Sequence, residues 1–170
     1  MYARTDKEFA TRYFWWFFLI QPYDLPERMI GHDPAFFLQK HIDGQLKVKG
    51  ATEPEAFAEY LRCYRDERTR HAICEDYRAA ATIDLEHDAA DAAARVTAPL
   101  LALWGGLGTV GALYDVLETW REKAVDVRGR AMPCGHTPQE ECPEETLAED
   151  RKSTRLNSSH VSESRMPSSA

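Results

Sequence analysis

Pro99-Leu-Leu-Ala-Leu-Trp-Gly105, then Val125-Asp-Val-Arg-Gly-Arg-Ala-Met132, then Pro-Cys134-Gly135-His136 is the stretch that decides the fold. The first run is continuous apolar sequence between a proline and a glycine, the pattern of a strand buried on both faces. The second keeps Val125, Val127 and Ala131 apolar but interposes Arg128 and Arg130, so it reads as a strand with one wetter face. Helical sequence lies between them, from Leu113 to Glu122, and again after them, from Pro138 to Ala148. Strand, helix, strand, helix implies a parallel α/β sheet, because parallel neighbours need a crossover between them. Two strands alone leave both edges uncovered, so this half of the chain calls for further strands.

His136 falls between the second strand and the helix that Pro138 opens. A histidine in that loop has the setting of a hydrolase's general base, which needs a nucleophile to serve and an acid to orient it. The loop after the first strand, Gly105-Gly-Leu-Gly-Thr-Val-Gly111, holds no carboxylate. It is not a phosphate loop either, since it lacks the Gly-Lys-Ser/Thr ending.

Working towards the N-terminus, the pattern turns helical. Thr5-Asp6-Lys7-Glu8 reads as a capping box opening a helix that runs to about Leu19. Gln21-Pro22 ends it, and Pro22 with Pro26 makes the next stretch a loop. Asp33-Pro34 is an N-cap followed by proline, so a helix follows. Glu53-Pro54 starts another, whose Phe57, Tyr60, Leu61 and Tyr64 keep the spacing of one buried face. Helical signal continues through Ile73, Tyr77 and Ala81, and an Ala- and Asp-rich helix runs from Asp84 to about Arg95. The expected organisation is a helical cap region over 1–95 and the C-terminal part of an α/β core over 96–149.

Composition bounds the rest. The net charge of −7 argues against nucleic acid as a partner. The longest apolar run, Tyr13 to Ile20, is far short of the ~20 residues that cross a bilayer, and no signal peptide is apparent. Cys63, Cys74, Cys134 and Cys142 lack zinc-ribbon spacing. Cys134, His136 and Cys142 could in principle share a metal, but structural zinc sites favour closer pairs, so no metal and no cofactor are expected. The thiols read as free, in a reducing cytoplasm. His32, His41, His71 and His87 have no ligand spacing and read as solvated, and Asp84 to Asp91 as an exposed helix face.

After Glu149 the composition breaks. Residues 150–170 are Ser-rich, with four basic and two acidic side chains. Asp150-Arg-Lys-Ser-Thr-Arg-Leu-Asn-Ser-Ser-His160 resembles the translation of a common sequencing adapter, and Arg165-Met-Pro-Ser-Ser-Ala170 its next constant block in the same frame. The expectation is an artefactual, disordered tail over 150–170.

Several blocks carry a family resemblance: Trp16-Phe-Phe-Leu-Ile-Gln-Pro22, Leu25-Pro-Glu27, Glu75-Asp-Tyr-Arg-Ala-Ala80, Pro99 to Gly105, and Gly135-His136. Their order resembles that of the haloacetate (fluoroacetate) dehalogenases, α/β-hydrolases with a helical cap; the epoxide hydrolases share much of the layout. The resemblance covers roughly residues 1–149 and implies a partial α/β-hydrolase fold, the cap plus the last two βα units of the core sheet. In that family a nucleophilic Asp displaces halide and forms an ester, and a His activates water to hydrolyse it. A second Asp holds the His tautomer.

By position, His136 then matches the water-activating base. Trp16 and Tyr77 match the cap residues that donate to the departing halide. The family's fluoride-handling His falls at Trp15, or at Phe14 with a one-residue slip; an indole donates a hydrogen bond but carries no proton. This implies chloride or bromide displacement, or another substrate, rather than defluorination. The family's nucleophile and acid lie upstream of Met1, so the chain reads as N-terminally truncated and inactive by itself. The implied partner of the parent enzyme is a halogenated short carboxylic acid, with a homodimer left open. The competing readings are an epoxide-hydrolase-like or other α/β-hydrolase fragment, and a non-catalytic helical binding module.

Overall fold

The computed structural model describes the backbone of residues 6–163 and the side chains of residues 6–153. The described residues divide into two compact units: a helical unit, 6–45 with 52–94, and a sheet unit, 46–51 with 95–163.

The helical unit opens with α1 (Lys7–Arg12) and α2 (Phe14–Leu19). Asp6 caps α1, its carboxylate accepting from Phe9 N at 2.8 Å, a contact of a kind that contributes about 1 kcal/mol. Thr5, expected to be the cap, lies outside the described residues. The single helix expected to Leu19 is broken at Tyr13, whose backbone (φ −111, ψ 40) leaves the helical region. The turn lets Phe9, Tyr13, Trp16 and Phe17 gather, with Phe9 1% exposed and edge-on to Trp16 at 6.1 Å.

The stretch after Pro22 is not all loop. α3 (Leu25–His32) begins there with Pro26 in its first turn. Proline is well suited to that position, because the first N–H groups of a helix have no intrahelical partner. α4 (Pro34–Gln45) follows, with Asp33 accepting from Phe36 N at 3.0 Å as the sequence requires of a cap.

Next come α5 (Pro54–Arg65), α6 (Glu67–Ala81) and α7 (Ile83–Ala90). Asp66 separates α5 from α6 and caps the latter through Arg68 N and Thr69 N. α6 is the hub, packed by α2, α3, α5 and α7. The core joins Leu19, Ile30 and Cys74, with Trp15, Phe18, Phe37 and Tyr77 around them. Burying Leu19 and Ile30 is worth about 1.5–3 kcal/mol each. The acidic face of α7 is exposed, as its sequence suggested.

The sheet unit pairs β1 (Leu100–Gly105) with β2 (Val127–Met132) in parallel, Leu100 opposite Val127 and Gly105 opposite Met132. Between them lie α8 (Thr109–Leu113) and α9 (Val116–Arg121), two short helices where the sequence suggested one. Tyr114 takes an extended conformation (φ −134, ψ 145) and ends α8, and Asp115 restarts the chain by capping Glu118 N at 2.9 Å. Val125 lies outside β2, next to an isolated bridge between Val96 and Ala124, and donates its N–H to Val96 O, so β2 proper begins later than its apolar pattern implied.

α10 (Pro138–Glu141) and α11 (Pro143–Glu163) close the unit. α11 runs through the compositional break after Glu149. From Glu144 to Glu163 the chain has no proline or glycine to stop it. Glu149 also pairs with Lys152 at 2.8 Å and with Arg130 of β2 at 3.1 Å. The disorder expected from 150 onward therefore does not describe the backbone up to Glu163.

Candidate active site

His136 sits in the loop from β2 to α10, at the carboxyl end of a parallel strand. Two glycines make this placement possible. At Gly105, the last residue of β1, an added Cβ would overlap the Gly135 carbonyl oxygen, so only glycine lets the two loops close. At Gly129 it would overlap the Ala102 carbonyl. Gly106 N then donates to Met132 O at 2.8 Å and Leu107 N to Cys134 O at 3.0 Å, tying the His136 loop to the end of β1. Met132, Cys134 and Cys142 pack beneath it, all under 7% exposed.

Glu141 completes the loop. Its side chain is buried and has no cation partner among the described residues. One oxygen accepts from Lys47 N at 2.7 Å and Val48 N at 2.8 Å; the other accepts from Thr137 N at 3.2 Å and Thr137 Oγ1 at 3.4 Å. The Gly135 N–H points to it as well. Burial works to raise the carboxyl's pKa, but these N–H donors together outweigh it and hold it below the ordinary value, so Glu141 is anionic at neutral pH.

The His136 ring is exposed, yet the protein around it removes enough water to hold its pKa below the usual 6.5, against an opposing pull from the Glu141 charge. Solvent moderates this effect, and the imidazole is neutral near pH 7, the form that accepts a proton. Among the described residues no carboxylate pairs directly with the imidazole.

In the helical unit, α2 and α6 bring Trp16 and Tyr77 together, ring edge to ring face at 5.8 Å. Both are half-buried. Burial, with a smaller effect from Asp76, raises the Tyr77 pKa and keeps its hydroxyl protonated. Trp15 faces elsewhere. It packs on Phe37 at 4.9 Å and on His41 at 5.0 Å, inside the core. His41 is consequently half-buried rather than solvated, stacked on Phe37.

Arg78, the residue after Tyr77, locks the helices that carry the pair. It donates to Gln21 O at the end of α2 through Nε (2.9 Å) and Nη2 (2.7 Å). It donates to both oxygens of buried Glu27 in α3, at 2.7 and 3.1 Å, and to Glu75 at 2.6 Å. Glu27, His71 and Glu75 place their ligand atoms within 4.8 Å of one another, a spacing a metal could use. The Arg78 guanidinium already pairs with both carboxylates and leaves only one net negative charge, so the donor set is poorly suited to a cation.

The sequence reading missed Glu141, and Arg78 stood inside the Glu75–Ala80 block with no part assigned to it. The ion-pairing partner Glu27 lay inside a motif already noted, but nothing local marks Glu141 apart from its neighbour Glu140.

The comparisons with known proteins bear on the fold. No family model matches the chain. A fluoroacetate dehalogenase from Burkholderia sp. is 34% identical over 151 residues, 86% of this chain and 48% of that protein. Among solved structures, a Salmonella enterica protein provisionally named an acyltransferase is 67% identical with a TM-score of 0.89, over 91% of this chain and 52% of that one. A Nostoc sp. PCC 7120 protein provisionally named an α/β hydrolase is 53% identical with a TM-score of 0.85, over 87% and 51%. A Pseudomonas aeruginosa protein provisionally named an epoxide hydrolase is 38% identical with a TM-score of 0.81, over 91% and 53%.

Over the part that it matches, the chain shares the α/β-hydrolase fold of these relatives. The chain is haloacetate-dehalogenase-like, and it spans about half the length of the relatives it matches. Among the described residues, no helix is long and apolar enough to cross a membrane.

Proposed function

We propose that the chain is the cap and C-terminal portion of a hydrolase that displaces halide from a short halogenated carboxylic acid. The observation that carries this reading is the Gly135-His136 loop, held at the carboxyl end of β2 against Gly105–Leu107. In the proposed reaction a carboxylate nucleophile, which the resemblance places outside these residues, attacks the halogen-bearing carbon and halide leaves. Neutral His136 then takes a proton from water. The resulting hydroxide attacks the ester carbonyl, releasing the hydroxy acid and restoring the carboxylate.

Trp16 and Tyr77 are assigned to stabilise the departing halide, the indole N–H and the phenol O–H each donating where negative charge develops. Trp15 is assigned to packing. No base stands at its position to handle fluoride, which favours chloride or bromide. The four unpaired cysteines suit a reducing cytoplasm. With no carboxylate among the described residues to orient His136, the chain by itself is expected to be inactive.

The test is bromide titration of the purified chain followed by tryptophan fluorescence, alongside halide release from bromo-, chloro- and fluoroacetate. Saturable quenching that disappears in Trp16→Phe and weakens in Tyr77→Phe is expected, with no halide released. Turnover by the chain alone would refute the assignment of inactivity, and quenching indifferent to Trp16 would refute the halide role. A second reading, acyl or epoxide chemistry, is favoured by the names given to the Salmonella and Pseudomonas relatives. The same His136 would then activate an acyl acceptor or water. Ligand-induced shifts with an epoxide or an acyl ester, and none with haloacetates or bromide, would select it.

A further inference from the structure

A buried carboxylate without a cation partner is costly unless hydrogen bonds replace the lost water. Glu141 meets that condition with neutral backbone donors from two separate segments. Gly135 and Thr137 are the two chain neighbours of His136, and both direct their N–H groups to it. Lys47 and Val48 belong to the short segment 46–51, which clusters with the sheet unit although the chain on either side of it belongs to the helical one.

We propose that Glu141 is the positioning residue for His136: its carboxylate gathers the N–H groups on both sides of the histidine, with those of Lys47 and Val48, and so fixes one pose of the loop. The proposal rests on the reading of His136 as the base. Glu141 itself touches no reacting atom. It acts through the backbone, as an inverted anion nest in which the anion belongs to the protein. Both oxygens are needed, because one serves the 46–51 segment and the other serves Thr137. Glutamine cannot do this: its NH2 would face N–H donors on one side. Aspartate keeps the charge but is a methylene too short to reach both.

The experiment is NMR on the 15N- and 13C-His-labelled full chain, comparing wild type, Glu141→Gln, Glu141→Asp and Val116→Ala. Val116 is buried in the same unit and serves as a general destabilisation control. In wild type, the Lys47, Val48 and Thr137 amides should be shifted downfield and protected from exchange, and the His136 ring should give one sharp Cε1–H signal. Glu141→Gln should speed exchange about tenfold or more at the amides that lose the oxygen and move the His136 signal towards its random-coil position. Glu141→Asp should fall between, and Val116→Ala should leave the His136 signal in place.

Unprotected amides at Lys47 and Val48 in wild type would overturn the proposal. So would an unmoved His136 signal in both Glu141 variants, or an equal shift in Val116→Ala. If Glu141→Gln fails to fold, Glu141→Asp decides on the same signals. None of these signals depends on halide, so failure of the bromide titration leaves this result standing and separately interpretable.

Discussion

Removing the Arg78 guanidinium should turn Glu27 from a stabilising anion into a buried liability. In the native structure the Glu27 side chain is 5% exposed and that of Arg78 is 16% exposed. Arg78→Met keeps most of the aliphatic packing but deletes two bonds to Gln21 O, two to Glu27 and one to Glu75. Breaking a buried pair by removing one partner costs about 3–5 kcal/mol. We expect the low end, about 3 kcal/mol, because His71 remains 3.3 Å from Glu27 and is itself well exposed.

The pH dependence carries a signature. Burial tends to raise the Glu27 pKa, but the Arg78 and His71 hydrogen bonds and the Glu27 backbone bond pull it below 4.5. A depressed carboxyl contributes stability that is present above its unfolded pKa and is lost as pH falls through the folded pKa. Without Arg78 only burial and the weaker bonds remain, and the folded pKa should rise above the unfolded one. Stability should then fall as pH rises through the mid-4s, the opposite slope. Urea unfolding followed by circular dichroism, from acid to neutral pH, measures this. Glu27→Gln/Arg78→Met should recover a large part of the loss, since no buried charge is left unpaired and Glu75 is well exposed. A single-variant cost under about 1 kcal/mol, or a double variant as unstable as Arg78→Met, would refute the reasoning.

Three further outcomes are expected. Gly105→Ala should cost about 1–3 kcal/mol by overpacking and shift the His136 ring signal, whereas Gly44→Ala in α4, which meets nothing within 4 Å, should stabilise thermal unfolding by about 0.5–1 kcal/mol. Of the four thiols, half-buried Cys63 should react promptly with a disulfide reagent at pH 8. Burial pushes the Cys74 pKa to about 11 and the Cys134 pKa to about 12, so prompt labelling of either would contradict the packing around them. Acid titration of the sheet unit should show amide protection at Lys47 and Val48 retained above the mid-4s and lost at lower pH, as the depressed Glu141 carboxyl takes up its proton; protection that persists in acid would remove Glu141 as its source.

Much of this molecule could be read from local pattern. The continuous apolar run at Leu100–Trp104 needed only the rule that a strand buried on both faces shows no alternation, and it became β1. Asp33-Pro34 marked the start of α4 because capping and the missing proline N–H act within one helical turn. Pro138 was enough to start a helix soon after the strand, which leaves His136 in the loop between β2 and α10. Pro26 was misread because a proline breaks a helix interior but suits a first turn, and sequence alone does not say which turn it occupies. Tyr13 and Tyr114 interrupted expected helices for a similar reason: each break is set by side-chain packing or by a competing cap.

The tertiary structure decided what lies between distant residues. Glu141 is bound by Lys47 and Val48, more than ninety positions away. Arg78 closes on Gln21 and Glu27 from more than fifty. Trp15 and Trp16 look alike in sequence, yet one entered the core and the other met Tyr77. Periodicity and capping report the free energy of a few neighbouring residues, so the sequence by itself determined the elements and the position of His136. Which buried charge finds which donor depends on the packed chain as a whole, because the cost of an unsatisfied group is set only where water has been excluded.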